Sequence, residues 1–200
     1  NLKKIYEPAR PLVSVVAGSK FDTKIEPLSA LLEKSDHLVL GGVIYNAYLC
    51  AKYGISIKGV GEDDLESAKK FVDFASKFPG RIVELPFIVE SDTLDGRIDG
   101  QYRTHDIRTL KPGTALNFVL DADKRSFTEN SVTEVFMNAK TIFVNAVMGF
   151  TPHFTEGTIA MDKLIDANKD AMKLFGGGET LEALKKLLPG VYMKALDNKK

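Results

Sequence analysis

The sequence predicts an α/β fold in which helices cover both faces of a parallel sheet. Short runs of β-branched and aliphatic residues alternate along the chain with longer amphipathic runs. Such alternation is typical of parallel strands joined by crossover helices. Glycines and polar residues follow several of the short runs, where the carboxyl edge of such a sheet would lie. We therefore predict that residues 1–200 form a single three-layer αβα domain, with a Rossmann-like, open parallel sheet of six strands.

Strands are predicted where a short apolar run is bounded by turn residues. The six runs are 12–16, 37–40, 81–85, 115–120, 141–144 and 171–175. Glycine follows the first, second and sixth runs, whereas Asp121 and Asn145 follow the fourth and fifth. Residues 97–109 alternate in polarity, which predicts a hairpin or an excursion from the main sheet.

Helices are predicted where apolar residues recur every three or four positions. The six helical runs are 25–34, 43–52, 62–77, 126–139, 158–168 and 179–188. The segment Phe78-Pro79-Gly80 ends the third helix. Ser126 opens the fourth helix, and Glu129, three residues later, completes a capping box.

The composition favours some environments and partners over others. Of the 200 residues, 44% are hydrophobic and 27% are charged, and the formal net charge is zero. This charge balance predicts neither a nucleic-acid partner nor a membrane partner. Cys50 is the single cysteine and cannot form an internal disulfide, which suits a reducing, cytoplasmic compartment. We also expect the protein to be a monomer. Because the chain begins at Asn1 rather than Met, we expect an excerpt from a longer protein.

The triple glycine 176–178 lies between the last predicted strand and the last predicted helix. In such a loop, backbone N–H groups approach a phosphate closely, and the helix dipole favours the anion. Glu179 and Thr180 begin the helix, where a carboxylate and a hydroxyl can reach a phosphate-bound Mg²⁺. A tight strand-to-helix connection capped by glutamate is the structural alternative. The gathering of several such loops at one sheet edge favours a binding site.

Other nucleotide and catalytic motifs do not occur in the sequence. Neither the Walker lysine motif nor Gly-x-Gly-x-x-Gly is found. The three histidines, His37, His105 and His153, have no zinc-ligand spacing and are interpreted as structural or solvated. Ser19 is not part of a Gly-x-Ser-x-Gly elbow, which argues against a hydrolase.

Six segments occur in a specific order along the chain. Residues 17–25 read Ala-Gly-Ser-Lys-x-x-x-Lys-Ile, and residues 176–180 read Gly-Gly-Gly-Glu-Thr. The four segments between them are 31–42, Leu120-Asp121, 141–149 and 154–158. In order and spacing, the set resembles the C-terminal, nucleotide-binding domain of phosphoglycerate kinase, which carries Gly-Gly-Ala-Lys-x-x-x-Lys-Ile and Gly-Gly-Gly-Asp-Thr. The resemblance covers nearly the whole chain.

The resemblance implies a glycolytic phosphoryl transfer, between 1,3-bisphosphoglycerate and MgADP, that yields 3-phosphoglycerate and MgATP. The enzyme class is a phosphotransferase with a carboxyl group as acceptor, and catalysis depends on positioning and electrostatics. By resemblance, Lys24 is the catalytic cation that follows the transferred phosphoryl group, Lys20 holds the nucleotide phosphates and Glu179 binds Mg²⁺. The residues that the resemblance assigns to the nucleotide site are Gly18, Ser19, Lys20, Lys24, Gly41, Gly42, Leu120, Asn145, Val147, Gly177, Gly178, Glu179 and Thr180.

Lys20 and Lys24 lie four residues apart near the start of the first predicted helix. A solvated helix face is the ordinary interpretation of two such lysines. At this position, however, the two positive charges repel each other and the helix dipole. A bound polyphosphate relieves both costs, which favours the functional interpretation.

The chain departs from the family pattern near the expected pocket. Val43 stands in place of a glycine, the segment Asn145-Ala146-Val147 in place of Asn-Gly-Pro, and Asp123 brings a charge near the pocket. These departures keep open the hypothesis of a diverged, non-catalytic relative that binds nucleotide or acts as a scaffold. A third hypothesis is an unrelated α/β module for a small phosphorylated metabolite.

The resemblance also implies that parts of the enzyme lie outside these 200 residues. Phosphoglycerate binds to an N-terminal domain that is absent from this chain, and the last glycine-rich loop of the family would follow Lys200. We therefore expect the chain to bind MgADP or MgATP weakly and to be inactive alone.

Overall fold

The structure, a computed structural model, describes residues 8–21 and 25–177. The strands in these ranges are Leu12–Gly18 (β1), His37–Gly41 (β2), Ser56–Ile57 (β3), Phe87–Ser91 (β4), Tyr102–Asp106 (β5), Ala115–Leu116 (β6), Phe118–Ala122 (β7), Thr141–Asn145 (β8) and Met172–Phe175 (β9). The α-helices are Ile25–Lys34 (α1), Gly42–Tyr53 (α2), Glu62–Ala75 (α3), Asn130–Asn138 (α4) and Glu156–Ala167 (α5). Two 3₁₀ turns cover Ile107–Thr109 and Lys124–Thr128.

Four strands form a parallel sheet in the order β2-β1-β8-β9. Val15 of β1 lies opposite Val39 of β2 and Val144 of β8. All three side chains are completely buried, as expected of a sheet that is covered on both faces. The predicted three-layer α/β class with a parallel sheet and helices is therefore confirmed.

The prediction of six parallel strands is wrong in the number of strands. Within the described ranges the parallel sheet has four strands, and the run 81–85 contributes only one bridge, from Ile82 to Leu38. The run 115–120 divides into β6 and β7, and β7 pairs antiparallel with β4. A hairpin joins β4 to β5, because residues 92–101 are too few for the crossover helix that a parallel pair needs. The predicted excursion from the main sheet is thus confirmed.

The helices lie in two groups around one apolar core. In the first group, α3 contacts both α1 and α2, and α2 contacts β1 and β2. In the second, α4 contacts α5, which also contacts β7. The core includes Phe21, Phe71 and Phe136, and the rings of Phe21 and Phe71 meet edge to face with centroids 5.5 Å apart. Among the helices of the described ranges, none combines the length and the apolar character that crossing a bilayer requires.

The start of the fourth predicted helix is also different in the structure. The Ser126 hydroxyl group does not cap a helix; it donates to the carbonyl oxygen of Phe87 and accepts from its N–H, both at 2.9 Å. Residues Lys124–Thr128 form the 3₁₀ turn, in which the Asp123 side chain accepts from the N–H of Arg125. The predicted capping box is therefore wrong, because Ser126 is used to attach this turn to β4.

Candidate functional site

A cavity of about 240 Å³ opens at the carboxyl edge of the parallel sheet. Parallel strands place all their carboxyl ends at one edge, where ligands of open α/β sheets bind. Four segments form most of the wall: the ends of β1 and β2, the loop after β8 and the strand β7. The lining residues are Ala17, Gly18, Ser19, Gly41, Gly42, Val43, Tyr45, Asn46, Leu85, Ile88, Val119, Leu120, Asp121, Ala122, Val147, Met148, Gly149 and Phe150.

Six residues of the predicted nucleotide site lie together on this wall. They are Gly18, Ser19, Gly41, Gly42, Leu120 and Val147. They come from four segments that are distant in sequence, which the β-strands bring to one place. Val43, which departs from the glycine of the pattern that the sequence resembles, also lines the cavity.

Other predicted site residues are not on the cavity wall. Asn145 is exposed at the end of β8, and Gly177 is exposed just beyond β9. Lys20 is exposed and lies beside a separate depression that also includes residues 61–64 at the start of α3. Four predicted residues lie outside the described ranges, namely Lys24, Gly178, Glu179 and Thr180.

The N-terminus of α2 gives part of the wall the character of an anion site. Gly42 and Val43 begin this helix and line the cavity, and its first turn has no acidic residue. The first N–H groups of a helix have no partner within the helix, and its dipole attracts negative charge. Gly42 has a φ of +62°, and a Cβ at this position would lie 2.9 Å from the carbonyl oxygen of Gly18. Glycine therefore allows the ends of β1 and β2 to approach each other.

Another part of the wall is apolar, although it contains Tyr45 and Asn46. The Tyr45 hydroxyl donates to the carbonyl oxygen of Leu85 at 2.8 Å, and the Asn46 amide donates to that of Val119 at 3.0 Å. The Tyr45 hydroxyl and one N–H of the Asn46 amide therefore donate inside the protein. None of these wall residues was predicted from the sequence. Tyr45 and Asn46 lie within about one helical turn of Gly42, a predicted site residue, so their proximity to the site could have been inferred from the sequence. No pattern in the sequence indicates Leu85, Ile88 or Val119.

Asp121 places a buried carboxyl group on the cavity wall. Its Oδ2 accepts from the N–H of Gly157 at 3.2 Å, and its Oδ1 has no hydrogen-bond partner. Burial raises the pKa of this carboxyl to about 7, and hydrogen bonds from the backbone of Gly157 and Ala122 oppose the rise. The site thus contains a carboxyl group that changes charge near neutral pH.

Asp123, which was expected to place a charge near the pocket, does not line the cavity. Its carboxylate accepts from the Thr104 hydroxyl at 2.8 Å and from the Arg125 N–H at 2.9 Å. Burial raises its pKa, but these hydrogen bonds and the Arg125 guanidinium outweigh burial, so the pKa lies below its usual value. The charge of Asp123 is therefore held by structural contacts.

The metal prediction rests on Glu179, which the structure does not describe. Within residues 8–21 and 25–177, no three His, Cys, Asp or Glu side chains are grouped so that they could hold an ion. The magnesium site therefore stays a prediction from the sequence.

Comparison with known proteins identifies the family. A family model described as phosphoglycerate kinase matches residues 1–192 of the chain. The chain belongs to the phosphoglycerate kinase family. Two curated phosphoglycerate kinases from Haemophilus influenzae, of strains PittGG and KW20/Rd, are each 32% identical to it over 189 residues. Each match covers 91% of this chain and 45% of the relative, so the chain spans less than half the length of these phosphoglycerate kinases.

Solved structures of phosphoglycerate kinases share the fold. The enzyme from Coxiella burnetii matches with a TM-score of 0.79 and 27% identity, over 98% of this chain and 48% of that one. The enzyme from Pyrococcus horikoshii OT3 matches with a TM-score of 0.71 over 93% of this chain and 46% of that one, and at 21% identity it supports the fold alone. Membership of the phosphoglycerate kinase family excludes the hypothesis of an unrelated α/β module.

Proposed function

We propose that this chain is the nucleotide-binding, C-terminal-type domain of a phosphoglycerate kinase, and that it binds ADP or ATP together with Mg²⁺. One observation carries the proposal: residues predicted from four distant segments line a single cavity. Part of the wall is a helix N-terminus with glycines, which suits phosphates. Another part is apolar, with Leu85, Ile88 and Val119, which suits the faces of a base.

The reaction would be phosphoryl transfer from 1,3-bisphosphoglycerate to ADP, which gives 3-phosphoglycerate and ATP in glycolysis and runs in reverse in gluconeogenesis. The transferred group develops negative charge that fixed cations and N–H groups stabilise. Lys24 would follow that group, Lys20 would hold the nucleotide phosphates, and Glu179 and Thr180 would contact Mg²⁺ and phosphate. Bound Mg²⁺ neutralises charge on the phosphate oxygens.

Phosphoglycerate would be bound by a separate N-terminal domain that is absent from this chain. The matched region is about half the length of the phosphoglycerate kinases from Haemophilus influenzae and Coxiella burnetii, which supports a second domain for the second substrate. We further propose that the protein acts as a cytoplasmic monomer, with neither nucleic acid nor membrane as a partner, in keeping with its zero formal charge.

Titration calorimetry with MgADP tests nucleotide binding directly. We expect weak but measurable binding at submillimolar to millimolar ADP, and about tenfold weaker binding after Lys20→Ala, because a charged phosphate contact is lost. Lys124→Ala, at another exposed lysine, is the matched control and should bind as the parent does. A folded chain that binds no nucleotide at millimolar concentration would refute the proposal.

A diverged, non-catalytic nucleotide-binding relative is the second candidate. Two departures from the family pattern favour this candidate. The cavity wall carries Val43 where the pattern has a glycine, and Asn145, which the pattern assigns to the nucleotide site, lies away from the wall. The two candidates can be distinguished by combining the chain with the N-terminal domain of a relative and measuring ATP formation. Turnover supports the kinase, and nucleotide binding without turnover supports the non-catalytic relative.

A further inference from the structure

The carboxyl group of Asp121 is enclosed in the wall of the cavity between two glycines. A Cβ at Gly157 would lie 2.3 Å from its Oδ1, and a Cβ at Gly149 would lie 3.0 Å from its Cγ. Asp121 is 4% exposed, and within the described residues its Oδ1 has no hydrogen-bond partner. A carboxylate can accept about four hydrogen bonds, so its charge is poorly compensated in this position.

The charged side chains that act on Asp121 leave this charge uncompensated. Burial is the main cause of its raised pKa, and Glu156 of α5 adds to the rise, whereas Arg97 of the loop between β4 and β5 opposes it. The side chains of Arg97 and Glu156 lie 3.4 Å apart and form an ion pair. Arg97 is therefore directed to Glu156 rather than to Asp121.

The other titratable groups on the elements around Asp121 have partners or lie away from the cavity. Glu90 on β4 and Asp123 after β7 are bonded to side chains of β5. Asp162 of α5 is buried but does not line the cavity, and His153 in the loop after β8 is exposed. Asp121 is thus the only acidic residue among the described residues that line the cavity.

A nucleotide in this cavity would make the carboxylate form of Asp121 less favourable in two ways. The ligand replaces water beside the wall, which weakens the solvation of a charge, and its phosphates add negative charge. Neither effect acts on the neutral acid. By linkage, the protein therefore binds a proton more tightly when the nucleotide is present, and the nucleotide more tightly when the proton is present.

We propose that Asp121 takes up a proton when a nucleotide binds, and that this side chain thereby couples nucleotide affinity to pH. This inference rests on the proposed nucleotide site and adds the proton as a second, linked ligand. It requires no contact between the base and Asp121. Affinity is highest where Asp121 is already protonated, and it falls as the pH rises through 7, where the folded chain alone loses this proton.

Calorimetry of ADP binding to the 200-residue chain, in buffers that differ in ionisation enthalpy, tests the proposal. Mg²⁺ is left out so that ADP keeps its full negative charge. Between pH 6 and pH 9, the affinity of the parent should fall about tenfold relative to that of Asp121→Asn. At pH 8, where the terminal phosphate is already ionised, a tenfold linkage corresponds to uptake of about 0.4 proton per ADP by the parent. Asp121→Asn should take up almost none.

Two variants control for other titratable groups. Asp162 is a second buried carboxyl group, whose pKa burial raises to about 7, and it lies away from the cavity. His153 is the exposed histidine of the loop after β8. Asp162→Asn and His153→Gln should both take up as much of a proton as the parent does.

Infrared difference spectroscopy gives a second measurement that does not depend on the folding of Asp121→Asn. Addition of ADP to the parent at pH 8 should increase the C=O band of a protonated carboxyl group. The same increase in Asp162→Asn would show that the proton is not on Asp162. No increase in the parent, although ADP binds, would overturn the proposal.

The possible outcomes separate the two proposals. ADP binding without proton uptake in the parent overturns the linkage and leaves the nucleotide site intact. Uptake that persists in Asp121→Asn, or that disappears in Asp162→Asn or His153→Gln, overturns it as well, because the proton then binds to another group. If the parent binds neither ADP nor MgADP, the proposed function fails, and the linkage fails with it.

Discussion

Two buried carboxyl groups, Asp121 and Asp162, make the stability of the protein depend on pH at the scale of single residues. Both are almost completely buried, and burial raises the pKa of each to about 7. The folded protein therefore binds these protons more tightly than the unfolded chain does. Their contribution to stability is complete below about pH 4 and is lost as the pH rises through 7.

Replacement of Asp162 by Asn should remove part of this pH dependence. Burial is the single cause of its raised pKa, so the neutral amide avoids the penalty that the carboxylate meets. The variant should gain almost nothing in free energy of unfolding at pH 4, and on the order of 2–4 kcal/mol above pH 7. Urea denaturation of parent and variant across this pH range measures the difference.

The control for this prediction is Asp170→Asn, which removes one negative charge from an exposed position. A difference between Asp162→Asn and the parent that does not vary from pH 4 to pH 8 would contradict the raised pKa. A variant that is less stable at every pH would show instead that the carboxyl group makes a contact that the amide cannot make.

At the scale of elements, the antiparallel sheet holds β7 where it forms part of the cavity wall. Glu90 of β4 is buried, and its carboxylate is 3.0 Å from Nη1 of Arg103, 2.7 Å from Nε2 of His105 and 2.6 Å from the N–H of Asn117. Burial raises the pKa of Glu90, but these hydrogen bonds outweigh burial, so the pKa lies below its usual value. One carboxylate thus connects β4 to β5 and to the segment before β7.

The contact between the ends of β1 and β2 gives a prediction at the same scale. Gly42→Ala places a Cβ at a positive φ and 2.9 Å from a backbone oxygen of Gly18. Gly80→Ala also meets a positive φ, of +78°, but has no atom within 4 Å of the added Cβ. We expect Gly80→Ala to cost about 1 kcal/mol, and Gly42→Ala about 1–3 kcal/mol more, because the strand ends must separate.

Thermal unfolding distinguishes these two variants, since 1 kcal/mol corresponds to a Tm change of about 2–4 °C for a protein of this size. The same loss in both would mean that the φ angle alone matters and that the strand ends can adjust freely. Gly80→Ala is therefore the matched control for the close approach of β1 and β2.

At the scale of the whole molecule, the chain covers less than half the length of its curated relatives. Transfer of a phosphoryl group requires donor and acceptor to be held together, and misplacement of either greatly reduces the rate. We therefore expect the 200-residue chain alone to form no ATP from 1,3-bisphosphoglycerate and MgADP in a coupled assay, even when calorimetry shows MgADP binding. Turnover by the chain alone would refute this prediction and would place both substrate sites within the 200 residues.

Much of the fold could be predicted because the hydrophobic pattern of each short segment indicates whether it forms a strand or a helix. The runs at β1, β2, β8 and β9 are short, rich in apolar residues and bounded by turn residues, and the structure places all four in one parallel sheet. The run at β7 looks the same in sequence but pairs antiparallel with β4. An apolar run does not encode the direction of its neighbour, which depends on the connection and the packing.

Some features of the candidate site could likewise be predicted from the sequence, and others could not. The sequence by itself determined the family resemblance and the glycines that line the cavity, such as Gly18 and Gly42, because glycine is needed wherever backbones approach closely. The position of Asp121 at that edge of the sheet follows from the sequence, but only the tertiary structure buried its carboxyl group, brought Phe150 to the wall and left Asn145 outside it. Burial and exposure are properties of how distant segments pack, so neither the buried carboxyl group nor the exposed ring could be recognised from its sequence neighbours.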